Sequence, residues 1–226
     1  MISDLKNAGL EIIFVSSGAI AMGVGKLGLS KKPQDIPSKQ ACAAIGQCEL
    51  MYTYDKLFQE YNHTVAQMLM TGADFEYEER HTNFDNTLNR LLEFGVLPII
   101  NENDTIASSE FKVGDNDTLS AIIATSANAD LLILLSDIDG LYTADPRKDA
   151  DASLIPIVKE INEDIMNLAG TAGTSRGTGG MVTKLNAAQI CMDAGIDMII
   201  ANGSNPEVLY DIFDGKSVGT RFTKKG

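Results

Sequence analysis

Short, almost wholly apolar runs occur at residues 11–15, 96–100, 131–135 and 198–201, and each passes directly into small or polar residues. They lack polar alternation and are far shorter than a typical helix, the pattern of strands buried on both faces. Between them, residues 39–61, 77–94, 118–128 and 183–194 carry apolar positions at helical spacing. Helices that alternate with buried strands predict parallel pairing, because parallel neighbours need crossovers and the crossovers cover the sheet. The expected fold is α/β, a doubly wound, mainly parallel sheet with helices on both faces. Neither a linker, a repeat nor a low-complexity tract interrupts the chain, so one continuous domain is expected. Residues 64–73 and 106–113 are further strand candidates, the second alternating as a hairpin would. At the start, Ile2, Leu5 and Ala8 trace a short apolar stripe that ends at Gly9, immediately before the first run. That order reads as a crossover helix without its preceding strand, as if the chain entered a β-α-β unit halfway.

With 226 residues, 44% apolar and 22% charged, the chain has the composition of a folded globular protein. Its net charge of −13 argues against a nucleic acid or an anionic membrane as partner and directs attention to small molecules. No apolar run approaches the ~20 residues of a membrane-crossing helix, and the opening MISDLKNAGLE is too polar for a signal peptide, so a cytoplasmic protein is expected. Cys42, Cys48 and Cys191 match no disulfide framework or zinc spacing, and His63 and His81 are the only histidines. No protein-held metal is therefore expected. Any chemistry falls to carboxylates, lysine, backbone groups and a metal from solvent.

In open α/β sheets ligands bind beyond the carboxyl ends of the strands, so the residues after each run carry the information. After the first come Ser16, Ser17 and Gly18, a tight turn whose helix start would favour an anion, although a serine cap beside a close-packed glycine explains it equally. After the second come Asn101, Glu102, Asn103 and Asp104, and soon afterwards Gly114, Asp115, Asn116 and Asp117. Turns and caps use such residues, yet two clusters around one segment could also converge on an ammonium group or a metal-bound phosphate. The third run leads into Ser136, Asp137 and the stretch SDIDGLYTADP, and the fourth into Asn202 and Gly203. The strongest local signal is GTGGMVTK, residues 177–184, where glycines enter a helix with Lys184 in its first turn. Glycine lets backbone approach a phosphate and lysine supplies the charge, but the spacing is not that of a P-loop. A lysine near a helix start opposes the helix dipole by a few tenths of a kcal/mol, which is easier to understand if an anion sits there.

SSGAI, SKQACAAIGQ, QMLMTGAD, LPIINENDT, FKVGDNDTLSA, LLSDIDGLYTADPR and GTGGMVTK, in that order, resemble the glutamate 5-kinases of the amino acid kinase family. The resemblance runs essentially to the closing SVGTRF. It implies transfer of the ATP γ-phosphate to the side-chain carboxylate of L-glutamate, with Mg²⁺ accompanying the nucleotide, in the first step of proline synthesis. By resemblance Ser17, with Gly18 and Ala19, contacts glutamate, as do Asp104 and Asn116, with Asn101 and Asp117 as weaker candidates. Asp115 matches the aspartate that organises catalytic lysines, and Lys184 the lysine on the transferred phosphoryl. Ser136, Asp137, Thr178, Gly179, Gly180, Met181, Val182, Thr183 and Lys184 match nucleotide contacts. Feedback inhibition by proline and a homo-oligomer are further implications.

Two departures qualify the resemblance. The family begins with a strand and a Lys-x-Gly-Ser type turn that this sequence lacks, so residues 1–226 read as an N-terminally truncated kinase domain and this chain could be inactive. Many relatives also carry a C-terminal PUA domain that has no counterpart here. A noncatalytic sensor of amino acid or nucleotide is thus an alternative, as is a related kinase with another acceptor.

Overall fold

The computed structural model describes residues 1–107, 114–171 and 180–223. The chain divides into two compact units, residues 2–116 and, with Met1, residues 117–226. The N-terminal unit runs α1 (Ile2–Asn7), β1 (Phe14–Val15), α2 (Ala19–Lys26), α3 (Ile36–Gln59), β2 (Val65–Met70), α4 (Gly72–Glu76), α5 (Glu78–Glu93) and β3 (Leu97–Glu102). Its strands form a parallel sheet in the order β1-β3-β2. The C-terminal unit contains α6 (Asn116–Ser126, whose first residue ends the other unit), β4 (Leu131–Ser136), β5 (Ile157–Val158), α7 (Glu163–Thr171), α8 (Met181–Asp193), β6 (Asp197–Asn202), α9 (Val208–Phe213) and β7 (Thr220–Phe222). Its sheet order is β4-β6-β7-β5.

All four apolar runs contain strands, and the helices expected between them are present. The α/β class with mainly parallel pairing holds, since β1 and β2 flank β3 in parallel and β4 pairs β6 in parallel. β6 explains why no polar alternation marks these strands. Met198 and Ile200 enter one apolar cluster with Leu134, Leu185 and Phe222, whereas Ile199 and Ala201 enter another with Ile212. Both faces are covered over Met198 to Ala201, so all four of those side chains are apolar.

Four details differ from the sequence reading. Residues 64–73 combine a strand with a helix start, because β2 ends at Met70 and α4 begins at Gly72. Of residues 106–113, Ile106 and Ala107 donate their backbone N–H groups to Asn103 O at 3.2 and 3.0 Å, closing a turn, and residues 108–113 lie outside the described residues. α3 begins at Ile36, ahead of the expected residue 39, since Asp35 accepts from Ser38 N at 2.9 Å and Pro37 occupies the first turn. The closing SVGTRF supplies β7, which pairs antiparallel with β6 and parallel with β5. At three residues, it is too short for periodicity to disclose.

In the N-terminal unit, Ile2 of α1 packs with Phe14, Tyr54 and Val65 against Phe58, Leu97 and Ile99. α2 and α3 cross at two glycines. A Cβ on Gly23 would lie 1.9 Å from Cys42 O, and one on Gly46 would lie 1.8 Å from Ala19 O. Backbone thus meets backbone, which fixes the start of α2 against α3.

Candidate active site

Parallel register decides which polar residues meet in the N-terminal unit. Val15 pairs with Ile100, so the residues that follow, Ser16 and Asn101, leave the sheet side by side, and Ser16 N still donates to Ile100 O at 2.8 Å. Asn116 joins both strand ends: its Nδ2 donates to Ser16 O in a short hydrogen bond and to Asn101 Oδ1 at 3.1 Å. Asn101 is 3% exposed, and its Nδ2 donates to Gln47 Oε1 of α3 at 2.9 Å. Ser16 Oγ and the Tyr54 hydroxyl are 2.8 Å apart. Beyond Ser16 the chain turns through Gly18 at φ 96°, a left-handed conformation that suits glycine, and enters α2. Ser17 and Gly18 are exposed at this turn, and Ala19 is buried at the first helical position. Asp104 lies half-buried in the turn after β3, and Asp115 half-buried just before α6.

The C-terminal unit encloses a cavity of about 300 Å³, lined in part by Ser136, Asp137, Asp139, Gly180, Met181 and Lys184. Register again sets its rim, because Ser136 at the end of β4 pairs with Asn202 at the end of β6. Asn202 Nδ2 donates to Asp139 Oδ1 at 2.8 Å, and the Tyr142 hydroxyl donates to Asp139 Oδ2 at 2.8 Å. These two donors hold the Asp139 carboxyl below the usual carboxylate range, the Asn202 bond most strongly. Asp145, also on the wall, accepts from Arg147 Nε at 3.0 Å and Nη2 at 3.2 Å. The Arg147 side-chain and backbone bonds hold its carboxyl down at about 2.

Lys184 is 9% exposed, and its ammonium donates to Asp117 Oδ2 at 3.0 Å. The same oxygen accepts from Thr183 Oγ1 at 2.7 Å. Helical spacing accounts for Lys184, which follows Gly180 by one turn and bonds back to it, whereas Asp117 comes from the first turn of α6. The resemblance gave Asp115 the part of organising lysines; in the structure the Lys184 ammonium bonds to Asp117, two residues further on. A buried lysine without such a partner would be costly to keep charged.

Of the expected nucleotide contacts, Ser136, Asp137, Gly180, Met181 and Lys184 line the cavity. Val182 is exposed, Thr183 turns to Asp117, and Thr178 and Gly179 lie outside the described residues. Sequence reasoning did not single out Gln47, Tyr54, Asp139, Tyr142 or Asp145. Gln47 closes the quoted SKQACAAIGQ and the last three stand within SDIDGLYTADP, so their chemistry was in view without their partners.

Residues 1–202 match the sequence profile of the Amino acid kinase family. The chain belongs to the amino acid kinase family. It is 54% identical to the glutamate 5-kinase of Clostridium perfringens, across 100% of this chain and 85% of that protein. It is 57% identical to that of Clostridium tetani, across 97% and 82%. The Carboxydothermus hydrogenoformans glutamate 5-kinase is 55% identical across 99% of this chain, which spans 60% of its length. Among solved structures, carbamate kinase from Giardia lamblia superposes with a TM-score of 0.66 at 20% identity, covering 99% of this chain and 87% of that one. Isopentenyl phosphate kinase superposes at 0.64 with 19% identity, covering 98% and 88%. Both show a shared fold.

Proposed function

We propose that this chain transfers the γ-phosphoryl group of ATP to the side-chain carboxylate of L-glutamate, forming γ-glutamyl phosphate, the first step of proline biosynthesis. The carrying observation is identity above one half to glutamate 5-kinases along essentially the whole chain. Ser17, Gly18 and Ala19 suit the carboxylate of the bound amino acid, because the helix start offers N–H donors and a favourable dipole. Asp104 and Asn116, supported by Asn101, suit its ammonium group. Ser136, Asp137, Gly180, Met181 and Lys184 suit the nucleotide, to which the resemblance adds Thr178, Gly179, Val182 and Thr183. Asp117, bonded to Lys184, joins that side.

Phosphoryl transfer asks little covalent chemistry of a protein; it needs positioned cations around the moving group. Lys184 suits that role, since burial strengthens its field and Asp117, itself held by the Thr183 hydroxyl, keeps its ammonium from wandering. No covalent enzyme intermediate is needed. Among the described residues no group of three or more carboxylate, histidine or cysteine side chains could hold a metal. Asp137, a carboxylate on the cavity wall, suits Mg²⁺ carried by the nucleotide phosphates and water, and the ion would neutralise phosphate charge. No described helix is long and apolar enough to cross a membrane. A cytoplasmic location, proline as feedback inhibitor and homo-oligomerisation complete the proposal.

The test is ADP release by wild type and Lys184→Met, with L-glutamate, Mg²⁺ and a panel of other acceptors. Turnover should require both glutamate and Mg²⁺, and K184M should lower kcat by roughly 10²- to 10³-fold with a much smaller effect on glutamate binding. Glutamate-independent ADP release, preference for another acceptor, or no calorimetric binding of glutamate would each refute this reading.

A further inference from the structure

Gln47 combines two properties that the reaction chemistry does not account for. It is 9% exposed, and its Nε2 is a buried donor with no hydrogen-bond partner among the described residues, while its Oε1 accepts from Asn101 Nδ2 at 2.9 Å. Amide orientation along the chain Gln47–Asn101–Asn116 is settled by backbone groups at two points. Glu102 N can only donate, so the atom Asn101 presents to it at 2.8 Å is Oδ1. Ser16 O can only accept, so the atom Asn116 presents to it is Nδ2. Both hydrogens of the Asn116 amide nitrogen are then committed, one to Ser16 O and one to Asn101 Oδ1. Whatever Asn116 offers a substrate it must offer through Oδ1, an acceptor, which matches an ammonium group rather than a carboxylate.

Asn101 keeps this orientation only while its own Nδ2 has an acceptor. At 3% exposure water does not substitute readily, and the acceptor present is Gln47 Oε1. The Gly46 crossing with Ala19 holds the neighbouring turn of α3 in place. An unpartnered buried donor on Gln47 is a standing cost, understandable if the oxygen at the other end of the amide is what is needed. We infer that Gln47 is a positioning residue for substrate recognition: through Asn101 it fixes the amide of Asn116 with its carbonyl oxygen turned to the ammonium group of the acceptor amino acid. This rests on the assignment of Asn116 to glutamate proposed above.

The experiment is calorimetric binding of L-glutamate and, separately, of the ATP analogue AMP-PNP to wild type, Gln47→Leu, Gln47→Glu and Asn116→Ala, with thermal melts as a check on folding. Q47L should bind glutamate about three- to tenfold more weakly, the effect of one lost network hydrogen bond, and bind AMP-PNP as wild type does. Q47E keeps the acceptor oxygen and should hold glutamate within about twofold of wild type. Should Q47L fail to fold, Gln47→Ser carries the same expectation, and its outcomes are read the same way. Normal glutamate affinity in Q47L beside a loss in N116A would overturn the positioning role and spare Asn116. Normal affinity in N116A would overturn the assignment of Asn116 itself. Equal losses for glutamate and AMP-PNP, without rescue by Q47E, would reduce Gln47 to general packing and overturn the inference.

Discussion

Replacing Gly46 with alanine tests whether the crossing of α2 and α3 sets the turn at Ser17 and Gly18 proposed above to hold the amino acid. The added methyl would stand 1.8 Å from Ala19 O, 2.5 Å from Gly23 N and 2.8 Å from Ala19 C. Nonbonded heavy atoms rest at about 3.5 Å or more, so the helices must separate by roughly 1.5 Å. Every one of those atoms is backbone, and no side chain can rotate away. Overpacking of this kind costs roughly 1–3 kcal/mol, and alanine recovers up to ~1 kcal/mol through helix propensity. The net expectation is a loss of about 1–2 kcal/mol, read as a lower urea midpoint with an unchanged slope and as a melting temperature lower by roughly 2–8 °C. Separation also moves Ala19 and with it the turn at Ser17 and Gly18, so G46A should weaken glutamate binding several-fold at a temperature where the protein is still folded. AMP-PNP binding should not change. A G46A protein as stable as wild type, with normal glutamate affinity, would refute the close crossing and its role in placing the turn.

Two further outcomes are expected. Because Arg147 holds the Asp145 carboxyl down at about 2, below its ordinary 3.8, folding favours the charged form; the stabilisation is complete above the ordinary value and lost as pH falls from there towards 2. The deficit in melting temperature of Asp145→Asn relative to wild type should therefore shrink between pH 5 and pH 2.5, on the order of the folded and unfolded values, and a deficit independent of pH would count against the pair. Cys48 is exposed, Cys42 and Cys191 are buried, and burial pushes the Cys191 thiol up to about 12. A thiol reagent at mildly alkaline pH should label Cys48 rapidly and the other two after unfolding, whereas rapid native labelling of a second cysteine would contradict this packing.

The strand ends were legible from sequence because an apolar run buried on both faces must stop where polar residues begin, and Ser16, Asn101, Ser136 and Asn202 stand at those stops. Less was legible where a single local cue competes with a longer pattern. The cap Asp35 with Pro37 starts α3 ahead of its apolar periodicity, and a three-residue β7 offers too few positions for any period. Asp115 and Asp117 illustrate the same limit at the site. They lie two residues apart in one acidic cluster, and composition cannot say which carboxylate a lysine 67 positions from Asp117 will meet.

The sequence by itself determined the class of fold, the set of polar residues available at the strand ends, and the glycine-rich entry to Lys184, because burial and backbone freedom depend on residue type alone. Tertiary structure decided which of those residues are partners. Parallel register set Ser16 beside Asn101 and Ser136 beside Asn202, and helix packing brought Asp117 to Lys184 and Gln47 to Asn101. A hydrogen bond has a direction and a reach of about 3 Å, so it is specified by where two chain segments stop relative to each other, a quantity that no local pattern contains.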